Sequence, residues 1–508
     1  MKTINGPRDT AGSSAAKLTA MSRPTPFVSA LLLLSAAFTT AAASAQDYGS
    51  RGNLGETATT SERAEIEALY ERFVPYIDRA RTELAMVRET VTYAEARGFR
   101  EWDPQVRNPS PGDRFYAVNR DRTMVLWVVG QESLASGMRL INSHIDSVRL
   151  ELKPHPLAKK KGVAVLDTLV HGGVKAYQWV NVPLGLTGRV DKKDGSVMWI
   201  EYGFDPGDPV LLIPDLAPHV DRDLRSRTRQ EAIKREELDP LITSAPAPGE
   251  ADSEGSEDGT DAAVVDAMAR AVALVEQEFG IEPDDWVSSD IQLVPTTEPR
   301  EVGLDRALFA AFGLDDRLAG IASVFALEDL STPTHTAVAY LVTDEEVGSG
   351  SNIGVASEWF RRIAAEMIRA ETGSVSELDV MESFSNTDMI TADTTTATNP
   401  LWPSPQATDN ASLLHHGLVI KLYGAGRSAN SEYVARLRRL LDDANVAWQS
   451  HTYKAGYGGG TIARYFNAMN MEVTDWGVGI LSMHSTYSVA SKADLWALYE
   501  GFVAFFDS

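Results

Sequence analysis

From about residue 263 onward the chain alternates helix-like and strand-like segments, and this alternation limits its fold more than any other feature. AVVDAMARAVALVEQEF, the stretch 317–330, the stretch 357–370, SEYVARLRRLLDDA and KADLWALYEGFVAFF carry apolar residues at helical spacing. Between them lie VSSDIQLVP, 337–343 and LVIKLYG, which are short, β-branched and apolar. A helix between successive strands is what a parallel connection requires, so the pattern predicts an α/β sheet covered by helices on both faces. Residues 305–312 read as a further helix. Residues 59–99 are also helical in period, with Thr59 and Glu62 spaced as a capping box and Pro75 predicted to divide or kink the run.

A different pattern interrupts the chain from about 155 to 215. VAVLDTLV, GVKAYQWVNVPLGLTGRV, VMWIEYGF and VLLIP follow one another with Gly and Pro between them, which reads as an all-β insertion. The expected organisation is one α/β domain from 61–150 and 288–508, with a β-rich domain inserted at 151–287. Residues 221–262 are first densely charged and then SAPAPGEADSEGSEDGTD, too poor in apolar surface to pack, and are expected to form a flexible segment. Residues 46–60 read as a linker.

The N-terminus reads as a targeting segment. FVSALLLLSAAFTTAA at 27–42 follows Arg23 and precedes Ala43-Ser44-Ala45, a short apolar run with a small-residue cleavage site. Residues 1–45 are therefore expected to be a signal peptide, with Met21 as an alternative start, and the protein to be exported to the periplasm or secreted. The run is short for a membrane span of about 20 residues.

Charge and cysteine content exclude several functions. With 47 Lys+Arg against 71 Asp+Glu, a formal net charge of -24, the chain would repel nucleic acid and anionic lipid. Cysteine is absent, so disulfides, thiol nucleophiles and thiolate metal sites are all ruled out. Any metal must be held by His, Asp and Glu.

Donors of that kind recur where apolar runs end. His144 and Asp146 of Ser-His-Ile-Asp-Ser share one face of an extended segment, so His144 can ligate a cation while Asp146 orients its ring. Asp315-Asp316-Arg317 opens a helix, and Asp344-Glu345-Glu346 follows the apolar strand at 337–343. Asp388 in Ser-Asn-Thr-Asp-Met and His484 in Ser-Met-His-Ser complete the set. Each alone has a plain structural reading: a hydrogen-bonded histidine, a helix N-cap, a solvated acidic turn. Together they have the composition of a two-zinc hydrolase site, in which one carboxylate bridges two ions.

The order of HxD, LDD, EEVGS, SxxDM and SMHS resembles the aspartyl aminopeptidase and vacuolar aminopeptidase I family of metallopeptidases. Gly-Phe-Arg-Glu-Trp at 98–102, Ile213-Pro214 with Leu216-Ala217 and His219, and Gly458-Gly459-Gly460-Thr461 extend the likeness, which spans about 61–508. The resemblance implies a three-layer metallopeptidase catalytic domain with an inserted oligomerisation domain, and a homo-oligomer, a dodecamer with enclosed active sites. It makes Asp315 the bridging ligand, with His144 and Asp388 on one ion, Glu346 and His484 on the other, Glu345 the general base, and Asp146 the residue that aligns His144. It also offers His219 from a neighbouring subunit, Lys421 near the substrate pocket, and Gly459 as a backbone approach to a peptide. Two divalent ions are implied, zinc foremost, with cobalt or manganese accepted by the same ligands. Thr391 and Asp215 stand where many members have histidine, which leaves a preference for acidic N-terminal residues open. The expected activity is release of N-terminal residues from short peptides. Its rivals are a catalytically silent peptide-binding scaffold and a two-metal carboxypeptidase or deacylase.

Overall fold

A computed structural model describes residues 50–244, 259–422, 429–459 and 462–508, side chains of 259–266 and Thr408 excepted. Residues 1–45, expected to be a signal peptide, the acidic stretch from 245 to 258, and Gly460-Thr461 lie outside them. No helix among the described residues is long and apolar enough to cross a membrane.

The main sheet has nine strands, in spatial order Arg100–Glu101, Arg114–Asn119, Thr123–Val128, Ala337–Val342, Arg139–His144, Asp388–Ala392, Glu472–Gly477, Leu418–Lys421 and Trp448–His451. Its four central strands, from Ala337–Val342 to Glu472–Gly477, are parallel to one another. Side chains alternate across a strand, so burial on both faces requires apolar residues at odd and even positions alike. The central strands obey this. Ile141, Ala339, Leu341 and Ile390 pack on the face covered by helices Thr60–Arg79, Leu314–Asp329 and Lys492–Phe506. Leu140, Val338, Tyr340 and Met389 pack on the opposite face, under Trp359–Thr372 and Glu377–Ser385. The result is the sheet with helices on both sides that the alternation predicts.

Two local readings change. Pro75 lies inside an unbroken helix, Thr60–Arg79, whose start carries the Thr59/Glu62 capping box. Phe73, Tyr76 and Ile77 are buried around the proline, so core packing holds the helix across the missing N–H. The chain breaks instead at Ala80, and Thr82 caps the next helix, Glu83–Glu95. Residues 305–312 are not helical: Leu308–Ala311 is the middle strand of a small sheet, paired with Arg300–Val302 and Ser488–Ser491. Pairing on both edges, with Phe309 and Ala310 fully buried, overrides the helix propensity of Ala-rich sequence.

A second, antiparallel sheet of six strands runs Val197–Tyr202, Leu184–Asp191, Ser289–Pro295, Arg149–Lys160, Val163–His171 and Leu241–Thr243. It has its own core, including Leu150, Leu166, Trp179, Leu186, Trp286 and Leu293. The insert extends past its expected end at 287: Ser289–Pro295 pairs with Leu184–Asp191 throughout and belongs to the second sheet. Apolar content alone does not tell such a strand from one of the main sheet.

Candidate active-site cleft

The parallel strands carry His144, Glu345, Glu346 and Asp393 at or just past their carboxyl ends. His144 closes strand Arg139–His144 opposite Val342, so the turn after that neighbour, with Asp344, Glu345 and Glu346, emerges beside it. On the other side Ala392 is paired with Ser143, which brings the next residue, Asp393, to the level of His144. Asp315 and Asp316 have non-helical backbone angles just ahead of a buried helix, after Gly313 at φ 74°. His484 lies in a turn with φ 60°, a left-handed conformation uncommon outside glycine and frequent at functional sites.

These residues form two groups that share one carboxylate. His144, Asp315 and Asp393 present donor atoms within 4.8 Å of one another, and Asp315, Glu346 and His484 do the same. His144 Nε2 is 3.4 Å from Asp315 Oδ1 and 3.9 Å from Asp393 Oδ1. His484 Nε2 is 3.1 Å from Asp315 Oδ2 and 3.4 Å from Glu346 Oε1. The two oxygens of Asp315 thus face one group each. The cleft around them, about 230 Å³, is also lined by Glu345, Thr394, Thr395, Lys421, Tyr453, Gly459 and Met483.

Contacts behind the donors fix their orientation. His144 Nδ1 lies 3.0 Å from the Asp146 carbonyl oxygen and 3.4 Å from Asp146 Oδ1, which leaves Nε2 facing the cleft. Asp146 in turn accepts from the backbone N–H groups of Glu345 and Glu346, each at 3.2 Å. His484 Nδ1 lies 3.3 Å from the Gly173 carbonyl oxygen. Asp393 is paired with Lys421 Nζ at 2.9 Å, and the Asp315 Oδ1 atom accepts from Thr394 Oγ1 at 3.0 Å.

So many acids in a buried site perturb one another. Burial, with the nearby carboxylates, raises Glu345 to about 7 and Glu346 to about 8. Burial also pushes Asp316 well up, against the hydrogen bond that its Oδ2 accepts from Ser143 Oγ. Burial opposes the charge on His484, but the bond to Asp315 outweighs it and lifts the imidazole to about 9. Asp315 moves the other way, because the two histidines outweigh its burial.

Among the residues singled out in the sequence, His144, Asp146, Asp315, Glu345, Glu346, His484, Lys421 and Gly459 all come to this cleft or support it. Asp388 does not. It begins its strand in register with Arg139, five positions before His144, or about 16 Å at 3.3 Å per residue. Arg436 holds both of its oxygens at 2.7 and 2.8 Å, and Arg139 lies 3.5 Å away. Its charge is spent on a structural ion pair at the far end of the sheet. Asp393, just past the carboxyl end of the same strand, occupies the position assigned to it. Asp388→Asn should therefore leave kcat unchanged while costing about 1–3 kcal/mol in urea unfolding, the penalty for stranding a largely buried Arg139. His219 sits on an exposed segment and does not line the cleft.

The donor set suits a divalent ion such as zinc: imidazole nitrogens and carboxylate oxygens converge, and the buried Oε1 of Glu346 accepts no hydrogen bond. Comparison with known proteins agrees. Residues 76–506 match the model of the aminopeptidase I zinc metalloprotease family, M18. A probable M18 family aminopeptidase 1 of Clostridium acetobutylicum is 32% identical over 457 residues, covering 87% of this chain and 95% of the relative. The crystal structure of an M18 aminopeptidase from Thermotoga maritima superposes with a TM-score of 0.82 at 31% identity, over 90% of this chain and 99% of that one. The dodecameric mApe1 of S. cerevisiae shares the fold at 19% identity, with a TM-score of 0.70 over 87% of this chain and 97% of its own. Carboxylate and imidazole donors gathered at the ends of parallel strands, on this fold and at this identity, make the chain a metalloaminopeptidase that belongs to the M18 family.

Proposed function

We propose that the cleft removes the N-terminal residue of short peptides at two divalent ions, zinc foremost. One would be held by His144, Asp315 and Asp393, the other by Asp315, Glu346 and His484. The observation that carries this reading is the position of Asp315, whose two oxygens serve both donor groups. Bound metal would supply Lewis-acid polarisation of the scissile carbonyl and an acidified water.

The chain's own residues do the rest. Glu345 lines the cleft, and its carboxyl, raised to about 7 chiefly by burial, is poised to take a proton near neutrality and return it to the departing amine. Its backbone N–H, tied to Asp146 Oδ1, holds it beside the donors without joining them. The acidic lining attracts a free α-ammonium group, which would confine cleavage to the N-terminus. Lys421, committed to Asp393, steadies that donor from behind.

Chelation should abolish hydrolysis of aminoacyl-chromophore substrates, and added zinc, cobalt or manganese should restore it. Acylating the substrate α-amine should remove activity; retention of it would favour the carboxypeptidase or deacylase reading, and chelator-resistant binding without turnover the scaffold. Export to the periplasm or beyond is supported by the apolar run at 27–42, and fractionation of expressing cells tests it. Assembly as a homo-oligomer, with His219 offered across a subunit boundary, is supported by the exposure of that segment; a single-chain mass in light scattering would remove it.

A further inference from the structure

The mechanism leaves unused a buried histidine contributed by the second sheet. His171 ends strand Val163–His171, and both of its ring nitrogens face carboxylates: Nε2 lies 3.0 Å from Asp146 Oδ2 and Nδ1 lies 3.1 Å from Glu151 Oε1. Only the doubly protonated ring donates to both. Burial opposes that charge, but the two acids outweigh it and lift His171 to about 9. Glu151 is held in turn by Arg149 Nη2 at 2.7 Å, and Arg149 reaches Glu83 at 3.3 Å, so the imidazole is anchored from behind by a buried network.

The two residues after His171 also touch the cleft. Gly172, at φ 74°, passes so close to Glu346 that a side-chain carbon on it would lie 3.1 Å from both Cβ and Oε2 of that residue, and 2.9 Å from Val148 Cγ1. The Gly173 carbonyl is the oxygen that faces His484 Nδ1. One turn of the second sheet therefore meets Asp146, which orients His144, then Glu346, then His484. Members of both donor groups are braced by a segment from outside the main sheet.

We propose that His171 is a positioning residue: by gripping Asp146 it locks the turn 171–173 against the cleft and so holds His144, Glu346 and His484 at once. This rests on the two-ion reading above. Residues that orient ligands from behind typically govern metal affinity or activity by about 10–100-fold.

Two substitutions separate positioning from mere stability. His171→Gln can keep a donor at the Nε2 position, toward Asp146, whereas His171→Asn can keep one only toward Glu151. The experiment compares both with wild type in chelator-competition affinity for zinc, in kcat and KM, and in melting temperature. The expected result is that His171→Asn loses about 10-fold or more in zinc affinity and in kcat at little-changed KM, while His171→Gln stays within about 3-fold of wild type, the two melting alike. Equal loss in both variants, unchanged affinity in His171→Asn, or failure of both to fold would overturn the assignment. The two-ion reading fails separately, if wild-type protein titrates with fewer than two zinc ions.

Discussion

Glu345→Gln is expected to lower kcat by about 10²–10⁴-fold while the purified protein keeps its full metal content. The substitution preserves size and the backbone N–H bond to Asp146 Oδ1, so the turn that carries Glu345 stays in place. What it removes is the carboxyl proposed to take and return the proton, one that burial lifts above the ordinary carboxylate range. Glu346, the next residue, differs because its Oε1 faces His484 Nε2 at 3.4 Å. On the proposed function, adjacent residues on this short turn divide the work, one acid joining the donors and the other serving proton transfer. The measurements are steady-state kinetics on an aminoacyl chromophore and metal analysis of the same preparation. Full turnover in the variant would sink the base assignment, and loss of metal would make Glu345 a ligand.

Asp315→Asn should have the broadest effect on metal. Its two oxygens face different groups, 3.4 Å from His144 Nε2 and 3.1 Å from His484 Nε2, so a neutral amide weakens both sites together. Metal analysis should show both ions lost, and kcat/KM should fall by about 10³-fold or more, corresponding to several kcal/mol of lost Lewis-acid stabilisation. Asp393→Asn is the control, since Asp393 belongs to one group only and should release one ion. If Asp315→Asn releases a single ion, the carboxylate is not shared.

Much of this site could be read in the sequence because several donors close or follow an apolar run that forms a buried strand. His144 and the Glu345-Glu346 pair stand out for that reason, and the central strands are buried on both faces as their composition predicts. Asp388 misled because it sits next to an equally apolar segment, but at its start. The physical rule that parallel strands present ligands at their carboxyl ends selects Asp393, five residues later, and applying it needs the strand's direction and end point. His171 and Gly173 carried no local signal at all. Their importance comes from a strand of one sheet ending against the cleft of another, a contact between distant parts of the chain that periodicity does not encode. The same limit misplaced 305–312, where one of the two pairing partners, Ser488–Ser491, lies far along the chain.

The cleft wall is divided between two jobs. Thr395, Tyr453, Gly459 and Met483 line the cavity yet supply no atom to either donor group. The Tyr453 hydroxyl is secured by Thr395 and Thr396, at 3.2 and 2.8 Å, so this side has its own support apart from the Asp146 contacts. A library confined to those four positions changes the cavity wall without replacing a member of either donor group, and on the proposed function it would test whether that wall sets the preference for the released amino acid, toward tailored peptide trimming.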